Sequence, residues 1–289
     1  MPSARVTFVI VTWNSAATIG ELLDSISAST VADRCAVVVV DNDSKDQTVA
    51  IVEQHPMRPT LVRNSTNRGL AAANNQGLHL VETEFACVTN PDVVLDADCI
   101  DHLLVCADGH PRAGFVIARL RNPDGSLQPG VGDLPRLGEV LLGRRASLRR
   151  QQSAGIWWDG WPHDTEVAIG HGQEACYLVR AAAVAEVGGQ DERYTLDWEG
   201  LDWSARMNDA GWEIWFCPAA GAVHIGGVSV RQAQARWIVR SHRGMYMYFA
   251  DRLPWTYRPL LAMTFGARAL TKLLMWALTR DAYGRVTAS

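Results

Sequence analysis

The strongest constraint on this chain is an alternation in its first third. Apolar, β-branched runs at 6–11, 36–40 and 84–89 are separated by stretches whose apolar residues recur at helical spacing. Ile19, Leu22, Leu23 and Ile26 share one face of a helix predicted over 15–27. Further helices are predicted over 48–54 and 70–81, with a short strand at 61–62. Strands that are apolar along their whole length are buried on both faces. Such strands alternating with helices give an α/β fold: a mostly parallel central sheet with helices on both faces.

The runs stop on polar residues. The first ends on Thr12-Trp13-Asn14 and the second on Asp41-Asn42-Asp43-Ser44, with Asp46 nearby. Asn67-Arg68-Gly69 leads into a helix carrying Asn74, Asn75 and Gly77, and the last run ends on Asn90-Pro91-Asp92. Turns and helix N-caps use these residue types. A nucleotide site uses them too. Asp41 can accept the N3–H of a uracil or thymine ring, Asn and Thr can hold a ribose, and Asp92 can hold a divalent cation beside a diphosphate. For one cluster alone, turn chemistry is the stronger reading. Several clusters at successive strand ends favour a ligand, because open α/β sheets bind at the carboxyl ends of their strands.

Composition removes other classes. The 289 residues are 48% hydrophobic and 20% charged, a globular balance with ample core. A net charge of −4 lacks the basic surplus of a nucleic-acid binder. None of the 6 cysteines forms a CxxC pair, which argues against a zinc site or redox dithiol and fits a reducing compartment. No signal-peptide pattern opens the chain, so it is expected to start in the cytoplasm. No uncharged run is long enough to span a bilayer. The first strand is followed by neither GxGxxG nor a Gly-rich basic phosphate loop, which disfavours a dehydrogenase and a nucleotidyltransferase.

The middle of the chain differs. Residues 121–137 read as loop, 144–152 as a basic, solvated segment, and 156–161 as an aromatic cluster. An apolar stretch follows at 174–187, then a helix over 201–210 and a strand over 212–216. In the tail, 253–279, Arg268 and Lys272 share one helix face while Leu270, Leu273, Leu274 and Trp276 lie away from it. Such an amphipathic basic helix suits either an anionic membrane surface or docking on its own domain.

The motifs VTFVIVTWNSAATIGELLDSI, VVVVDNDSKDQT, NRGLAAANNQGL, TNPDVVL, ACYLVR, VGGQDERY, DWEGLDWSARMNDAGWEIWFCP and AVHIGG together resemble the family 2 glycosyltransferases of the GT-A fold. The nearest branch is rhamnosyltransferase-like or galactofuranosyltransferase-like, and the resemblance covers about 6–227. It implies a nucleotide-sugar-binding half over 1–110, an acceptor-binding and catalytic half of the same domain over 111–250, and the amphipathic tail over 251–289. Thr12, Asn14, Asp41, Asn42, Gly69, Asn75, Asn90 and Asp92 would line the nucleotide-sugar site. Asn90-Pro91-Asp92 falls on the family's acidic metal motif, with Asn90 in place of its first carboxylate. Asp92 and His224 would then hold Mg²⁺ or Mn²⁺. The implied activity is inverting transfer of a sugar, rhamnose by preference, from a dTDP- or UDP-sugar to a cell-envelope polysaccharide or lipid-linked acceptor. The implied place is the inner face of the membrane, as a peripheral protein.

The resemblance breaks at one position. Within Asp197-Trp198-Glu199-Gly200-Leu201-Asp202, the family's usual base aligns with Gly200. Glu199 is the favoured replacement, Asp197 a second, and Asp202 a further acid of the cluster. The remaining alternative is a protein that binds sugar nucleotides without turnover. Acids at a helix start also favour that end electrostatically, a purely structural role.

Overall fold

The structure is a computed structural model, and it describes residues 4–142, 156–158, 160–195, 198–226 and 234–286. The basic segment expected at 144–152, and Asp197, lie outside the described residues.

The alternation folds as expected. Strand β1 (Val6–Thr12), helix α1 (Ile19–Ser27), β2 (Cys35–Asp41), α2 (Thr48–Gln54), β3 (Thr60–Arg63), α3 (Leu70–Leu78) and β4 (Phe85–Thr89) follow one another. Then come β5 (Val93–Leu95), α4 (Cys99–Gly109), β6 (Ala113–Arg121), β7 (Val131–Gly132) and α5 (Leu137–Leu142). After β8 (Val167–Ile169) and β9 (His171–Gly172), the apolar stretch at 174–187 divides into β10 (Cys176–Arg180) and α6 (Ala181–Val187). Helix α7 (Glu199–Asp209) and β11 (Glu213–His224) follow.

The main sheet runs β3-β2-β1-β4-β10-β6-β11-β5, with β8 also on β11. Strands β3, β2, β1 and β4 are parallel, β10 runs against both β4 and β6, and β11 is parallel to β6. Both faces are covered. Phe8 and Ile10 of β1 pack with Leu22 and Ile26 of α1 and Leu103 of α4 on one face. Val11 points the other way, where it packs with Ala73 of α3; Val9 packs there with Trp203 and Met207 of α7. This two-sided burial is why β1 carries apolar residues on both faces rather than at alternate positions only.

From β1 the chain proceeds outward to β2 and β3, then returns to place β4 on the other side of β1. That reversal is the topological switch point, and the crevice outside the carboxyl ends of the strands is where such sheets bind ligands. Thr12, Asp41 and Thr89 are the last residues of β1, β2 and β4.

Two departures from the sequence reading matter. Strand β11 does not stop near Phe216. It shifts register between Cys217 and Gly221 and continues to His224, as a bulge at Pro218 permits. Helix α7 starts at Glu199 rather than Leu201, so Glu199 and Gly200 form its first turn. The cysteines are all free, and all but Cys35 are buried as small hydrophobes.

The described residues form two compact units, 1–192 with 200–226, and 193–199 with 227–289. In the smaller unit α8 (Gln234–Arg252) packs along α9 (Arg258–Val286). Phe249 stacks on Phe265, and Trp198 lies against Tyr248 and Phe249. Arg193 pairs with Asp251 at 2.7 Å.

Candidate active site

At the end of β1, Thr12 donates its hydroxyl to Asp41 Oδ1 at 3.1 Å, and the Ser44 N–H donates to Asp41 Oδ2 at 3.0 Å. Both oxygens keep acceptor capacity for one more donor each. Asn14 sits at φ 52, a left-handed conformation that Asn tolerates, and its Oδ1 accepts the Lys45 N–H at 2.8 Å. Its own N–H donates to Ser44 Oγ at 2.8 Å, so the loops after β1 and β2 are laced together.

Asn42 faces inward. Its Nδ2 donates to Asn67 Oδ1 and the Gly69 carbonyl, while its Oδ1 accepts from the Arg68 N–H and Asn64 Nδ2. The side-chain amide is thereby saturated, and it fixes the 64–69 loop. Gly69 caps α3 at φ 87, ψ 165, a conformation open to glycine alone. Asn75 is engaged as well: its Nδ2 donates to the Gln190 carbonyl and Glu192 Oε1, and its Oδ1 accepts the Gln190 N–H.

The second corner lies where β4 passes into β5. The half-buried Asn90 gives its N–H to the Ala175 carbonyl at 2.9 Å. The antiparallel register sets Val93 of β5 opposite His224, the last residue of β11. Asp92, one residue earlier, therefore meets the His224 ring: Nε2 to Oδ1 is 3.4 Å. The Gly226 N–H donates to Asp92 Oδ2 at 3.2 Å. Burial works to raise the Asp92 carboxyl, but the His224 ring and the Gly226 N–H outweigh it and hold it below the usual carboxylate value.

His224 is oriented from behind. Gln128 Oε1 lies 2.7 Å from Nδ1 and Gln173 Nε2 lies 3.2 Å from it. With Nδ1 donating its proton to the nearer Gln128 oxygen, Nε2 is the ring nitrogen that faces Asp92. This is the outer support that metal-ligating histidines receive. A carboxylate and an imidazole nitrogen this close, braced on both sides, fit a divalent cation with open positions for water and phosphate. Neither Gln128 nor Gln173 carries a motif signal; only the tertiary fold brings them to the ring.

The acidic cluster is the third part. Glu199 is buried at the start of α7. Asp202 is also buried and bonded by Arg206 Nε at 2.8 Å, and Arg206 further donates to the Val187 and Gly189 carbonyls. Asp202 thus joins α7 to the preceding turn.

The sheet order, the polar crevice at its switch point and the carboxylate–imidazole pair define a GT-A glycosyltransferase. Residues 7–161 match the family model described as "Glycosyl transferase family 2", and the chain belongs to that family. The N-acetylglucosaminyl-diphospho-decaprenol L-rhamnosyltransferase of Mycobacterium tuberculosis is 30% identical over 283 residues, spanning 92% of this chain and 91% of that protein. The mannosyltransferase PcManGT from Pyrobaculum calidifontis, solved with GDP-Man and Mn²⁺, gives a TM-score of 0.59 at 20% identity, over 99% of this chain and 81% of that one. TarS 1–349 of S. aureus in complex with UDP gives 0.56 at 15%, over 92% and 72%. At those identities the two structures speak for the shared fold.

Proposed function

We propose that this glycosyltransferase is inverting and metal-dependent, and that it moves rhamnose from a dTDP- or UDP-linked donor to a lipid-linked acceptor of cell-envelope polysaccharide synthesis. The Asp92–His224 pair at the switch point carries the proposal. The mycobacterial relative is named for rhamnosyl transfer to N-acetylglucosaminyl-diphospho-decaprenol, which supports the sugar and the acceptor class. The Mn²⁺ and nucleotide sugar in the mannosyltransferase structure support the metal.

In this reading Asp41, steadied by Thr12 and Ser44, accepts the N3–H of the pyrimidine base. Asn14 and Gly69 shape the nucleotide pocket, and Asn42 and Asn75 position its walls. Asn90 flanks the diphosphate. Asp92 and His224 hold Mg²⁺ or Mn²⁺, which supplies charge neutralisation for the departing nucleoside diphosphate.

The tail is read together with that acceptor. Trp255–Leu278 is 24 residues long, long and apolar enough to cross a bilayer; its 18-residue apolar window has a mean hydropathy of 1.2 and is 11% buried. Leu261 and Phe265 of α9 are buried, while Leu260, Met263, Leu270, Leu274 and Leu278 are exposed. Arg268 and Lys272 are half-buried and act on His242 of α8, so the basic side of the helix faces its neighbour and the apolar side faces out. Burial and these two cations hold the His242 ring below its usual value. We propose that the outward face contacts the cytoplasmic leaflet and so brings the site to a membrane-borne acceptor.

The test is transfer from dTDP-rhamnose, UDP-galactofuranose, UDP-glucose or GDP-mannose to a polyprenyl-diphosphate N-acetylglucosamine acceptor, with Mn²⁺ or with chelator. Metal-dependent transfer from the thymidine donor is expected. Transfer that persists in chelator would remove the metal from the mechanism, and no transfer from any donor would overturn the reading.

A further inference from the structure

Gly200 occupies the position of the family's usual base, and the structure shows what stands in its place. A Cβ built on Gly200 would fall on the Glu174 carboxylate, with Cδ and both oxygens all closer than 3.0 Å. No ordinary side chain fits at 200 while Glu174 keeps its place. The carboxyl group that the family resemblance places on α7 is missing there, and a carboxylate from the segment between β9 and β10 fills the space beside Gly200.

That segment is tied to the metal corner on either side of Glu174. Gln173 contacts the His224 ring, and the Ala175 carbonyl accepts the Asn90 N–H. Glu174 itself is half-buried, and Gln190 Nε2 lies 3.4 Å from its Oε2. Gln190 is held in turn by Asn74, whose Nδ2 donates to Gln190 Oε1 at 3.0 Å, and by Asn75 on its backbone. The Asn74-Asn75 pair of α3 thus positions the group that orients Glu174. Asp202 is committed to Arg206, which leaves it a structural role.

We propose that Glu174 is the general base of this enzyme, a carboxylate moved from α7 to the β9–β10 segment and accommodated by glycine at 200. The inference rests on the glycosyltransferase reading above. In the step it serves, the acceptor hydroxyl oxygen attacks the anomeric carbon of the donor. Its proton passes to a Glu174 oxygen as the bond from that carbon to the diphosphate oxygen breaks. The bonding pair leaves with the nucleoside diphosphate.

The experiment compares wild type, Glu174→Gln, Glu174→Gly, Glu199→Gln and the exchange variant Glu174→Gly/Gly200→Asp, each assayed for transfer and, separately, for Mn²⁺-dependent donor binding by thermal shift. Glu174→Gln is expected to lower kcat by roughly 10²–10⁴-fold with donor binding unchanged. Glu199→Gln should keep most of the activity. The exchange variant, which returns the carboxylate to α7, should recover at least tenfold over Glu174→Gly alone, a gain that a merely structural glutamate would not give. A wild type that transfers sugar while Glu174→Gln is unimpaired would overturn Glu174 and leave the enzyme reading intact. The same follows if Glu199→Gln alone abolishes transfer with donor still bound. A wild type that transfers nothing from any donor would sink both.

Discussion

The metal corner of this site is built where strands end, the acid corner where helix α7 begins, and the two relate to the sequence in different ways. At the proposed metal corner the structure keeps the motif residue in place: β11 delivers His224 to Asp92, the acid of Asn90-Pro91-Asp92. At the acid corner the motif offers Glu199 and Asp202, and the base we propose comes from outside it. Asp202 is spent on Arg206, Gly200 has no side chain, and the space it leaves holds a glutamate from a segment with no motif at all. The difference teaches where substitution is easy. A metal ligand must meet a fixed set of partners on several elements, whereas a general base needs only to bring an oxygen within reach of one hydroxyl.

Asp92→Ala should break the comparison hardest. Transfer is expected to fall roughly a thousandfold, and the metal-dependent thermal shift with donor should vanish. A variant that keeps the shift would show the cation to be held elsewhere. Asp202→Ala probes the opposite corner. Removing one partner of a buried pair should destabilise the fold by about 3 kcal/mol, read by chemical denaturation, with kcat of the remaining folded protein close to wild type. A selective loss of kcat would make Asp202 catalytic after all.

His171 joins the two corners, because β9 leads directly into Gln173 and Glu174. It is buried, its Nε2 lies 2.7 Å from the Ile156 carbonyl, and burial pushes its pKa from 6.5 down to about 4. The folded protein thus keeps this ring neutral at pH values where the unfolded chain protonates it. Its contribution is complete above pH 6.5 and is lost as the pH falls toward 4. Between pH 7 and pH 5 the loss should be up to about 2 kcal/mol, and His171→Gln should flatten that part of the stability profile. An unchanged profile would place the pH sensitivity elsewhere. The smallest effect is expected from Gln128→Leu, which removes the brace behind His224. It should weaken Mn²⁺ binding roughly tenfold without altering the fold, as titration of the metal-dependent shift would show.

Much of this was legible beforehand, and for a local reason. The apolar runs announced strands covered on both faces, and the polar residues that ended them announced the crevice. Apart from the Asp92–His224 pair, which the resemblance named, what failed to show depended on contacts between distant segments. The run at 174–187 hid a strand and a helix, because short apolar stretches carry no period that tells them apart. The extension of β11 through Pro218 to His224 was masked by a residue that normally ends strands. In the tail the basic pair was visible as one helix face, but only packing against α8 shows that this face turns inward and leaves the leucines outside.

The sequence by itself determined the order of strands and helices in its first third, the family, and the acidic residue on which the metal reading rests, because periodicity and turn chemistry act over a few residues. The sequence also named His224 by resemblance; tertiary structure alone decided which glutamines steady that ring and which carboxylate fills the gap at Gly200. Those choices depend on sheet register and on side-chain volume at a point in space, where segments far apart in the chain meet.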